Sequence, residues 1–350
     1  MRIVHASNHS LRKYGLTYYS VDRKFSLALQ RNGHFVYDFS DRDVARMESV
    51  FKSKNLGRNK LNRVLLETID NIQPDLLLLG HTERFDENCL REARFKFPEM
   101  KIAQWYVDPI WTNEFKTFIT NRLPFVDAFF MTSSPESIPY IENIEKSKLF
   151  FIPNPSDITI ESDKAFENEL FDYDVIYCGR DDPASCRGGF LRAFQDKLKS
   201  NAINGRFWGC LGNPPISGRS YYNELSKAKM GLNLSRGINS YKLYSSDRIA
   251  QLMGEGLLVF NEENSYLKKL YPDDSIVYYK DLNDIVEKIL FYLSNWHEGK
   301  LIAQRGYNLA HTDFSSDVIA RYIVEVTLGT KFSMPYKWET IDTLKNLRVS

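Results

Sequence analysis

The stretch SSDRIAQLMGEGLLVF, residues 245–260, holds a polar start, an amphipathic run, two glycines and a continuous apolar run. Ile249 and Leu252 share one helix face, and their spacing predicts a helix over 246–254. The apolar residues that follow predict a strand over 257–260 that is buried on both faces. A helix that leads directly into a buried strand is the repeating unit of a parallel α/β sheet, and we therefore expect that fold class.

The same alternation of strand and helix continues on the N-terminal side of this stretch. Strand patterns occur in YDVIYCGR, GRFWGCLG and GLNLS, and a helical pattern separates each from the next. Residues 1–150 repeat the rhythm with RIVHAS, FVYDFS, PDLLLLG, KIAQWYVDP, DAFFMTS and KLFFIPNP. Between the two series, two prolines and a run of acidic and polar residues predict a linker at 153–170.

This order of elements predicts two Rossmann-like α/β domains with parallel sheets. We expect an N-terminal domain over 1–152 and a C-terminal domain over 171–330. One long helix is expected from about 298 to 328. The tail, 331–350, contains a further helical candidate over 336–348.

Composition and charge exclude several classes of protein. Lys plus Arg number 46 and Asp plus Glu number 45, so the formal net charge is +1 and the chain lacks the basic field of a general nucleic-acid binder. The four cysteines form no C-x-x-C pair and have no histidines at zinc spacing, which favours free thiols in a reducing cytosol and no metal site. The N-terminus lacks the apolar stretch of a signal peptide, and no apolar run of about 18 residues occurs. We expect a cytoplasmic protein, and peripheral contact with the inner face of a membrane stays open.

Sequence motifs exclude some common chemistry. The first strand is not followed by G-x-G-x-x-G, and neither a P-loop nor a G-x-S-x-G nucleophile elbow occurs. We therefore expect no bound dinucleotide or other cofactor. The D-x-D pattern at 41–43 is interpreted as a solvated loop rather than a metal site.

Three titratable residues in the first half follow predicted strands. His9 lies in the polar loop after RIVHAS, His81 directly follows LLLLG, and Asp108 ends the strand in WYVDP. Because ligands of such sheets bind at the carboxyl ends of the strands, these residues are candidates for a catalytic base. The alternatives are a solvated loop histidine for His9 and a turn-capping aspartate for Asp108.

Polar and cationic residues of the second half gather near two strand ends. Gly179 and Arg180 end YDVIYCGR, where a glycine allows close approach of a ligand and an arginine can bind a diphosphate. A second group lies between GLNLS and the first turns of the opening helix: Ser235, Lys242, Ser246, Arg248 and Gln251. A helix start presents unpaired amides and a positive dipole end, so this group predicts an anion site, and the alternative is an ordinary capped helix on a sheet.

Several of these phrases together resemble a known family. YDVIYCGR, YYNELSKAKMGLNLS, SSDRIAQLMGEGLLVF and YKDLNDIVEKI resemble the C-terminal half of GT-B glycosyltransferases, most of all the CgeB-type group of spore-maturation-like proteins. The resemblance is clearest over 171–320, and FIPNPSD is similar to the interdomain segment of such enzymes. It implies two Rossmann-like domains facing across a cleft, a nucleotide-sugar donor on the second domain, an acceptor on the first and no obligatory metal. It also implies that the final helix, 336–348 here, returns to the first domain.

The resemblance further implies roles for residues of the second half. Gly179 and Arg180 match the turn that approaches the donor diphosphate, and Ser246 and Arg248 match the polar start of the donor-site helix. Gln251 stands where many relatives carry a glutamate that binds the ribose hydroxyls. This departure removes a charge from that contact and adds hydrogen-bond donors.

These expectations together predict a glycosyltransferase that moves a sugar from a nucleotide-sugar donor to an acceptor hydroxyl, in surface polysaccharide or glycoconjugate synthesis. Arg180, Lys242 and Arg248 would stabilise the diphosphate leaving group, and His9 or Asp108 would deprotonate the acceptor. The acceptor is left open among a carbohydrate, a lipid-linked oligosaccharide and a protein. Two alternatives are an epimerase or phosphorylase on the same fold and a non-catalytic nucleotide- or sugar-binding module.

Overall fold

The computed structural model describes residues 1–49, 57–138, 144–181, 186–235, 242–263 and 266–341. The chain forms two compact units. Unit 1 comprises Met1–Pro153 together with the chain from Ser316 onward, and unit 2 comprises Asn154–Ser315. Each unit is built around one parallel sheet.

A six-stranded sheet forms the centre of unit 1. Its strands are β1 (Arg2–Ser7), β2 (Phe35–Ser40), β3 (Leu76–Leu79), β4 (Lys101–Tyr106), β5 (Ala128–Met131) and β6 (Leu149–Phe151). They lie in the order β2-β1-β3-β4-β5-β6. The α-helices described in this unit are α1 (Val21–Arg31), α2 (Asp41–Met47), α3 (Arg58–Ile72), α4 (Glu87–Lys96), α5 (Asn113–Arg122) and α11 (Ser316–Leu328).

Burial and capping explain why these segments adopt this structure. β3 consists of four leucines without solvent exposure, as expected for a central strand of a parallel sheet covered on both faces. Asp86 and Thr112 each accept a hydrogen bond from the backbone N–H three residues later, at 2.8 and 3.1 Å, and these caps start α4 and α5. The caps fix where the two helices begin, next to the carboxyl ends of β3 and β4.

A five-stranded sheet forms the centre of unit 2. Its strands are β7 (Tyr173–Cys178), β8 (Gly205–Trp208), β9 (Ala228–Asn233), β10 (Leu258–Glu262) and β11 (Val277–Tyr279). They lie in the order β11-β10-β9-β7-β8. The α-helices described here are α6 (Cys186–Ser200), α7 (Arg219–Leu225), α8 (Arg248–Gly254), α9 (Leu282–Ser294) and α10 (Trp296–His311).

Both sheets have the same topology. In each, the second strand lies on one side of the first and the third strand lies on the other side. The winding of the chain therefore reverses between β1 and β3 in unit 1 and between β7 and β9 in unit 2. At such a switch point the loops leave the strand ends in opposite directions and open a crevice, which is where ligands of open α/β sheets bind.

The segment expected to be a linker, 153–170, packs against unit 2. The Asn154 amide donates to the Ser245 carbonyl at 3.1 Å, the Ser156 hydroxyl donates to the Ala250 carbonyl at 2.9 Å, and the Phe166 N–H donates to the Gly256 carbonyl at 3.1 Å. All six residues are buried or nearly so. Asn154, Ser156 and Phe166 therefore attach this segment to the residues just before, within and just after α8.

The return of the chain to unit 1 begins earlier than expected. The helix predicted over 298–328 is two helices, because the chain turns between α10 and α11, and α11 belongs to unit 1. Arg31 on α1 pairs with Asp317 on α11 at 2.7 Å between Nη2 and Oδ1. Of the helix predicted over 336–348, the described part contains a short 3-10 turn, Lys337–Thr340, and 342–350 lies outside the described residues.

Two further expectations concern thiols and membranes. Cys89, Cys178 and Cys210 are free and buried, whereas the side chain of Cys186 lies outside the described part of the structure. Among the described helices, none has the length and apolar character needed to cross a membrane.

Candidate functional site

Arg248 occupies the switch point of unit 2. Its Nε donates to the Cys178 carbonyl at the end of β7 at 2.7 Å, and its Nη1 donates to the Leu234 carbonyl just beyond β9 at 3.2 Å. The side chain is only 8% exposed. Arg248 therefore joins the carboxyl ends of the two strands between which the winding reverses, and it carries a permanent positive charge into that position.

Tyr177 and Gly179 surround the guanidinium. Its carbon lies 4.8 Å from the centroid of the Tyr177 ring, a cation–π distance, and the Tyr177 hydroxyl is buried without a hydrogen-bond partner in the described structure. A Cβ on Gly179 would lie 2.5 Å from Arg248 Nη2 and 2.7 Å from the Tyr177 hydroxyl. Glycine is therefore required here first by these two side chains, which occupy the space that the sequence assigned to a ligand.

No carboxylate of the described residues forms an ion pair with Arg248. Its hydrogen-bond partners are neutral carbonyls, and the Asp247 carboxylate acts on its charge only from a greater distance. A buried cation in such surroundings is stabilised by an anion that reaches it. α8 itself adds little to this attraction, because it begins at Arg248 and is only seven residues long, instead of running over 246–254.

The other residues predicted for the donor site fall into two groups. Ser235 accepts a hydrogen bond from the Ser246 N–H at 3.1 Å, so the end of β9 and the residues before α8 are joined. Arg180 is exposed, and Lys242 lies with its Nζ 5.8 Å from the centroid of the Tyr266 ring. The structure thus brings Ser235, Ser246 and Arg248 to neighbouring strand ends and places Lys242 beside an aromatic ring.

Gln251 is occupied within unit 2. Its Oε1 accepts a hydrogen bond from the Tyr221 hydroxyl at 2.6 Å, its Nε2 lies 3.3 Å from Asp247 Oδ2, and the residue is 6% exposed. These bonds hold α7 against α8. The contact with ribose hydroxyls that the sequence suggested for Gln251 stays a prediction, and in this structure both polar atoms of the side chain have partners within unit 2.

Two residues near this switch point, Arg187 and Tyr177, were not among the candidates predicted from the sequence. Arg187, in the first turn of α6, is 6% exposed and its Nη2 donates to the Arg180 carbonyl. Tyr177 is hidden in an apolar strand pattern, where nothing marks its hydroxyl as facing the switch point. A cationic residue in the first turn after a strand was the one available signal for Arg187.

In unit 1, the structure brings together His81 and Asp108. They follow β3 and β4, which pair with Leu79 opposite Gln104, so the two loops leave the sheet side by side. His81 Nε2 lies 3.2 Å from Asp108 Oδ2 and 3.7 Å from Glu83 Oε1, without the alignment of a hydrogen bond. The side chains are 23% and 54% exposed, whereas His81 Nε2 itself is buried, so a substrate hydroxyl can reach the exposed part of the His81 ring and the Asp108 carboxylate.

His9 lies in a more enclosed setting. Its side chain is 5% exposed, and its Nε2 lies 3.1 Å from the His5 carbonyl and 3.9 Å from Asp38 Oδ1. Its Nδ1 is buried without a partner among the described residues. The sequence made His9 a candidate for the catalytic base, with a solvated loop histidine as the alternative. Its burial excludes the solvated alternative and leaves His9 less accessible to an acceptor than His81.

One group in unit 1 has the spacing of metal ligands, namely His5, His9 and Asp38. His5 already uses both ring nitrogens, because Nδ1 lies 2.8 Å from the Ser26 hydroxyl and Nε2 accepts from the Trp105 indole N–H at 3.2 Å. Burial holds the pKa of His5 well below its usual value, so the ring is neutral. The arrangement fits a buried hydrogen-bond network better than a metal site.

The sequence suggested that the D-x-D residues, 41–43, lie in a solvated loop. That expectation is wrong, because they lie in a helix. Asp41 and Asp43 form the first turn of α2 and are buried. Asp43 accepts hydrogen bonds from the Leu11 N–H at 2.8 Å and from the Ser40 hydroxyl at 2.6 Å. Burial raises the pKa of Asp41 to about 6. Asp43 therefore holds the loop after β1, and Asp41 accepts a hydrogen bond from the Arg42 N–H at 2.6 Å.

Residues 187–325 match a family model described as glycosyl transferase-like. No curated protein sequence matches the chain. Three solved structures are similar over 94% of this chain. Sucrose-phosphate synthase from Thermosynechococcus elongatus has 12% identity and a TM-score of 0.59, with 98% of its own chain covered. An α-glucosyltransferase in complex with UDP and a 13-mer DNA has 13% identity and a TM-score of 0.61, with 99% covered. HepE from Anabaena in complex with UDP has 13% identity and a TM-score of 0.54, with 100% covered.

These similarities confirm the predicted fold class: two Rossmann-like domains with parallel sheets, the GT-B arrangement. The match to the family model covers α8 and the strands on both sides of it, and it agrees with the class of protein that the sequence suggested. The narrower CgeB-type assignment stays a prediction.

Proposed function

We propose that this chain is a glycosyltransferase that moves a sugar from a nucleotide-sugar donor to an acceptor hydroxyl. The observation that carries the proposal is the buried Arg248 guanidinium at the β7/β9 switch point, where its described partners are neutral carbonyls. The glycosyl transferase-like match over 187–325 supports it, because that range contains Arg248 and its helix.

The positive charge of Arg248 suits the departure of a nucleoside diphosphate. As the bond between the sugar and the β-phosphate breaks, negative charge grows on the phosphate oxygens. A fixed cation in a site of low dielectric constant stabilises that growing charge more than it stabilises the intact donor, so it lowers the barrier. Arg187 donates a hydrogen bond from its side chain to the Arg180 carbonyl, and both residues add positive charge to unit 2.

The acceptor hydroxyl needs a base, and His81 with Asp108 is the pair that the geometry of unit 1 favours. The His81 side chain is 23% exposed, and the Asp108 carboxylate oxygen 3.2 Å from its buried Nε2 stabilises the imidazolium that forms when Nδ1 takes a proton. A base that acts on the acceptor implies a single displacement with inversion at the anomeric carbon. Determining the product's anomeric configuration by NMR would check this, and a retained configuration would exclude the role given to His81.

We also propose a donor, a metal requirement and a cellular role for this chain. We take the donor to be a UDP-hexose, since HepE and the α-glucosyltransferase of the same fold were solved with UDP. Arginine side chains take the part that a divalent cation plays in other transferases, so transfer is expected without added metal. We keep the CgeB-type group, a cytoplasmic location and a role in surface glycan synthesis within this proposal.

Contact with a membrane, where it occurs, is proposed to be peripheral and to use the loop after β1. Leu11, Tyr14 and Leu16 are 66%, 92% and 49% exposed, and Arg12 and Lys13 lie between them. Apolar side chains interleaved with cations suit an anionic lipid surface. Sedimentation with phosphatidylglycerol vesicles should fall for Tyr14→Ser and should be absent with phosphatidylcholine alone.

Calorimetric titration tests the donor site. UDP, GDP, CDP and dTDP are each compared with the corresponding monophosphate, and one diphosphate is expected to bind about tenfold or more tightly than its monophosphate. The matching nucleotide sugar is then incubated with and without a panel of acceptors. Binding of no diphosphate would overturn the proposal, and conversion of the donor without any acceptor would indicate an epimerase.

A further inference from the structure

A pocket of about 660 Å³ lies within unit 1, beside the first turns of α4 and along α5. Its volume is in the range of small-molecule sites. Its lining holds three aromatic rings, four carboxylates, two amides and two arginines, among them Tyr106, Phe118, Glu83, Glu114, Asn121 and Arg122. The mixture of flat apolar surfaces and hydrogen-bonding groups is the chemistry that a sugar ring requires.

Two residues of the pocket wall, Tyr106 and Glu83, adjoin His81. Tyr106, which lines the pocket, contacts the His81 ring edge-to-face with 5.2 Å between centroids. Glu83, on the same wall, has its Oε1 3.7 Å from His81 Nε2. A ligand seated in the pocket therefore lies next to the group proposed to take a proton from the acceptor.

The aromatic wall consists of Tyr106 and Phe118. Their centroids are 5.4 Å apart and their planes are inclined by 33°, so the two rings pack against each other at an angle. Tyr106 is 7% exposed, so Phe118 offers the larger accessible surface. Phe118 is partly exposed, although it belongs to α5 and has neighbours in the core. The C–H groups on one face of a pyranose carry a partial positive charge and pack on the negative face of such rings.

Arg122 also lines the pocket and carries hydrogen-bond donors. It is 4% exposed, its Nη2 donates to the carbonyls of Phe85 and Thr82 at 2.7 and 3.1 Å, and its guanidinium carbon lies 5.4 Å from the Phe118 ring centroid. Within the described residues no carboxylate forms an ion pair with it. Burial lowers the pKa of Arg122 to about 10, so it stays charged at neutral pH. The exposed carboxylates of Glu83 and Glu114 supply acceptors.

We propose that this pocket binds the acceptor, and that the acceptor is a carbohydrate rather than a protein side chain or the lipid part of a glycolipid. The inference rests on the proposed glycosyltransferase function and identifies its acceptor class. The acceptor sugar packs on Tyr106 and Phe118, and one of its hydroxyl groups reaches His81. The hydroxyl oxygen forms the new bond to the anomeric carbon, its proton moves to His81, and the bond to the diphosphate breaks with its electron pair leaving on the nucleotide.

Two threonines on α5 provide a matched pair of variants. Thr117 lines the pocket and Thr120 does not, but both are exposed and both donate to the carbonyl four residues earlier. Thr117→Trp fills the mouth of the pocket, and Thr120→Trp adds the same bulk to another face of the helix. The full chain is examined by saturation-transfer NMR with methyl glycosides of glucose, galactose, mannose and N-acetylglucosamine, and UDP affinity is measured on the same samples.

At least one methyl glycoside should bind to the unaltered chain and to Thr120→Trp, and its affinity should fall about tenfold or more in Thr117→Trp. UDP affinity should be equal in all three proteins, because it is a property of unit 2. Silence of every glycoside, or equal binding in the two variants, would overturn the proposed acceptor site while UDP binding leaves the transferase proposal standing. Absence of UDP binding would instead remove the transferase proposal itself.

Discussion

The carboxyl edges of the two sheets differ in chemistry although the sheets share one strand order. In unit 1 the switch-point side of the sheet carries side chains that gain or lose protons, above all His81 and Asp108. In unit 2 the corresponding strand ends carry a permanently charged guanidinium, a tyrosine hydroxyl and a glycine. The two sheets therefore share the edge at which ligands of such folds bind, and the side chains at that edge differ in the chemistry they can perform.

The carboxyl edges of the two sheets suit different steps of the proposed reaction. Proton transfer requires a group whose charge changes near neutral pH, which an arginine cannot supply. Stabilising a leaving phosphate requires a charge that does not change, which a histidine supplies only when protonated. Substitutions at the two edges should therefore differ in what they alter: proton transfer in unit 1 and nucleotide binding in unit 2.

The largest expected effect is that of His81→Gln. It removes the proposed base and keeps a polar side chain, so kcat should fall by about 10²–10⁴-fold. The affinity for UDP should not change, because no donor contact is proposed in unit 1. His9→Gln is the comparison, since its side chain is only 5% exposed and should cost much less activity. Equal losses in the two variants, with unchanged melting temperatures, would contradict the choice of His81.

Arg248→Lys should follow in size. Lysine keeps the charge but cannot donate to both the Cys178 and the Leu234 carbonyl, so transfer should fall by about 10²–10³-fold and UDP should bind more weakly. The fold is also expected to lose stability, by about 1–3 kcal/mol, because a buried carbonyl is left unpaired. Arg192→Lys, on the exposed side of α6, is the control. Wild-type UDP affinity in Arg248→Lys would contradict the proposed donor site.

The sequence predicted much of the fold because its signals are local. Runs such as Leu76–Leu79 and the apolar stretch 257–260 mark buried strands by themselves, and the alternation with helices gives a parallel sheet. Two local features of the chain differ from the sequence expectation. Nothing local distinguishes a polar linker from a segment that packs on α8, and the turn between α10 and α11 interrupts a continuous helical pattern.

The site was harder to predict, because it depends on register and on distant contacts. His81 and Asp108 were each candidates, but their pairing required that β3 and β4 be neighbours with Leu79 opposite Gln104. Arg248 was expected to face a ligand from a helix start. Its actual partners, the ends of two strands far apart in sequence, could not be read from spacing.

Gly179→Ala tests how closely the unit 2 edge is packed. The new methyl group would meet Arg248 Nη2 at 2.5 Å and the Tyr177 hydroxyl at 2.7 Å, so the guanidinium must move. We expect UDP affinity to fall about tenfold, since a displacement of about 1 Å is costly at a charged contact. Gly189→Ala meets nothing within 4 Å and lies in α6, so it should leave affinity unchanged and raise stability slightly. Similar affinities in both variants would contradict the packing argument.

The smallest expected effect concerns a titratable group of unit 2 that lies away from the strand ends. Glu255, at the end of α8, has no solvent exposure, and neither carboxyl oxygen receives a hydrogen bond of normal geometry within the described structure. Burial, followed by the neighbouring carboxylates Asp163 and Glu161, raises its pKa from 4.5 to about 9. The folded protein therefore keeps a proton that the unfolded chain loses above pH 4.5.

That difference makes the folded state less stable as pH rises from about 4.5 to about 9. Glu255→Gln replaces the protonated carboxyl with a neutral group of the same shape, so the variant should be more stable than the unaltered chain at pH 8, by roughly 1–3 kcal/mol. The gain should vanish near pH 4.5, and transfer activity should be unaffected, because Glu255 lies at the opposite end of α8 from Arg248. Urea unfolding at both pH values measures the effect, with the exposed Glu169→Gln as control. An equal gain in stability at both pH values would show that packing, and not the buried proton, is responsible. A loss of transfer activity would show that the C-terminal end of α8 also contributes to the reaction.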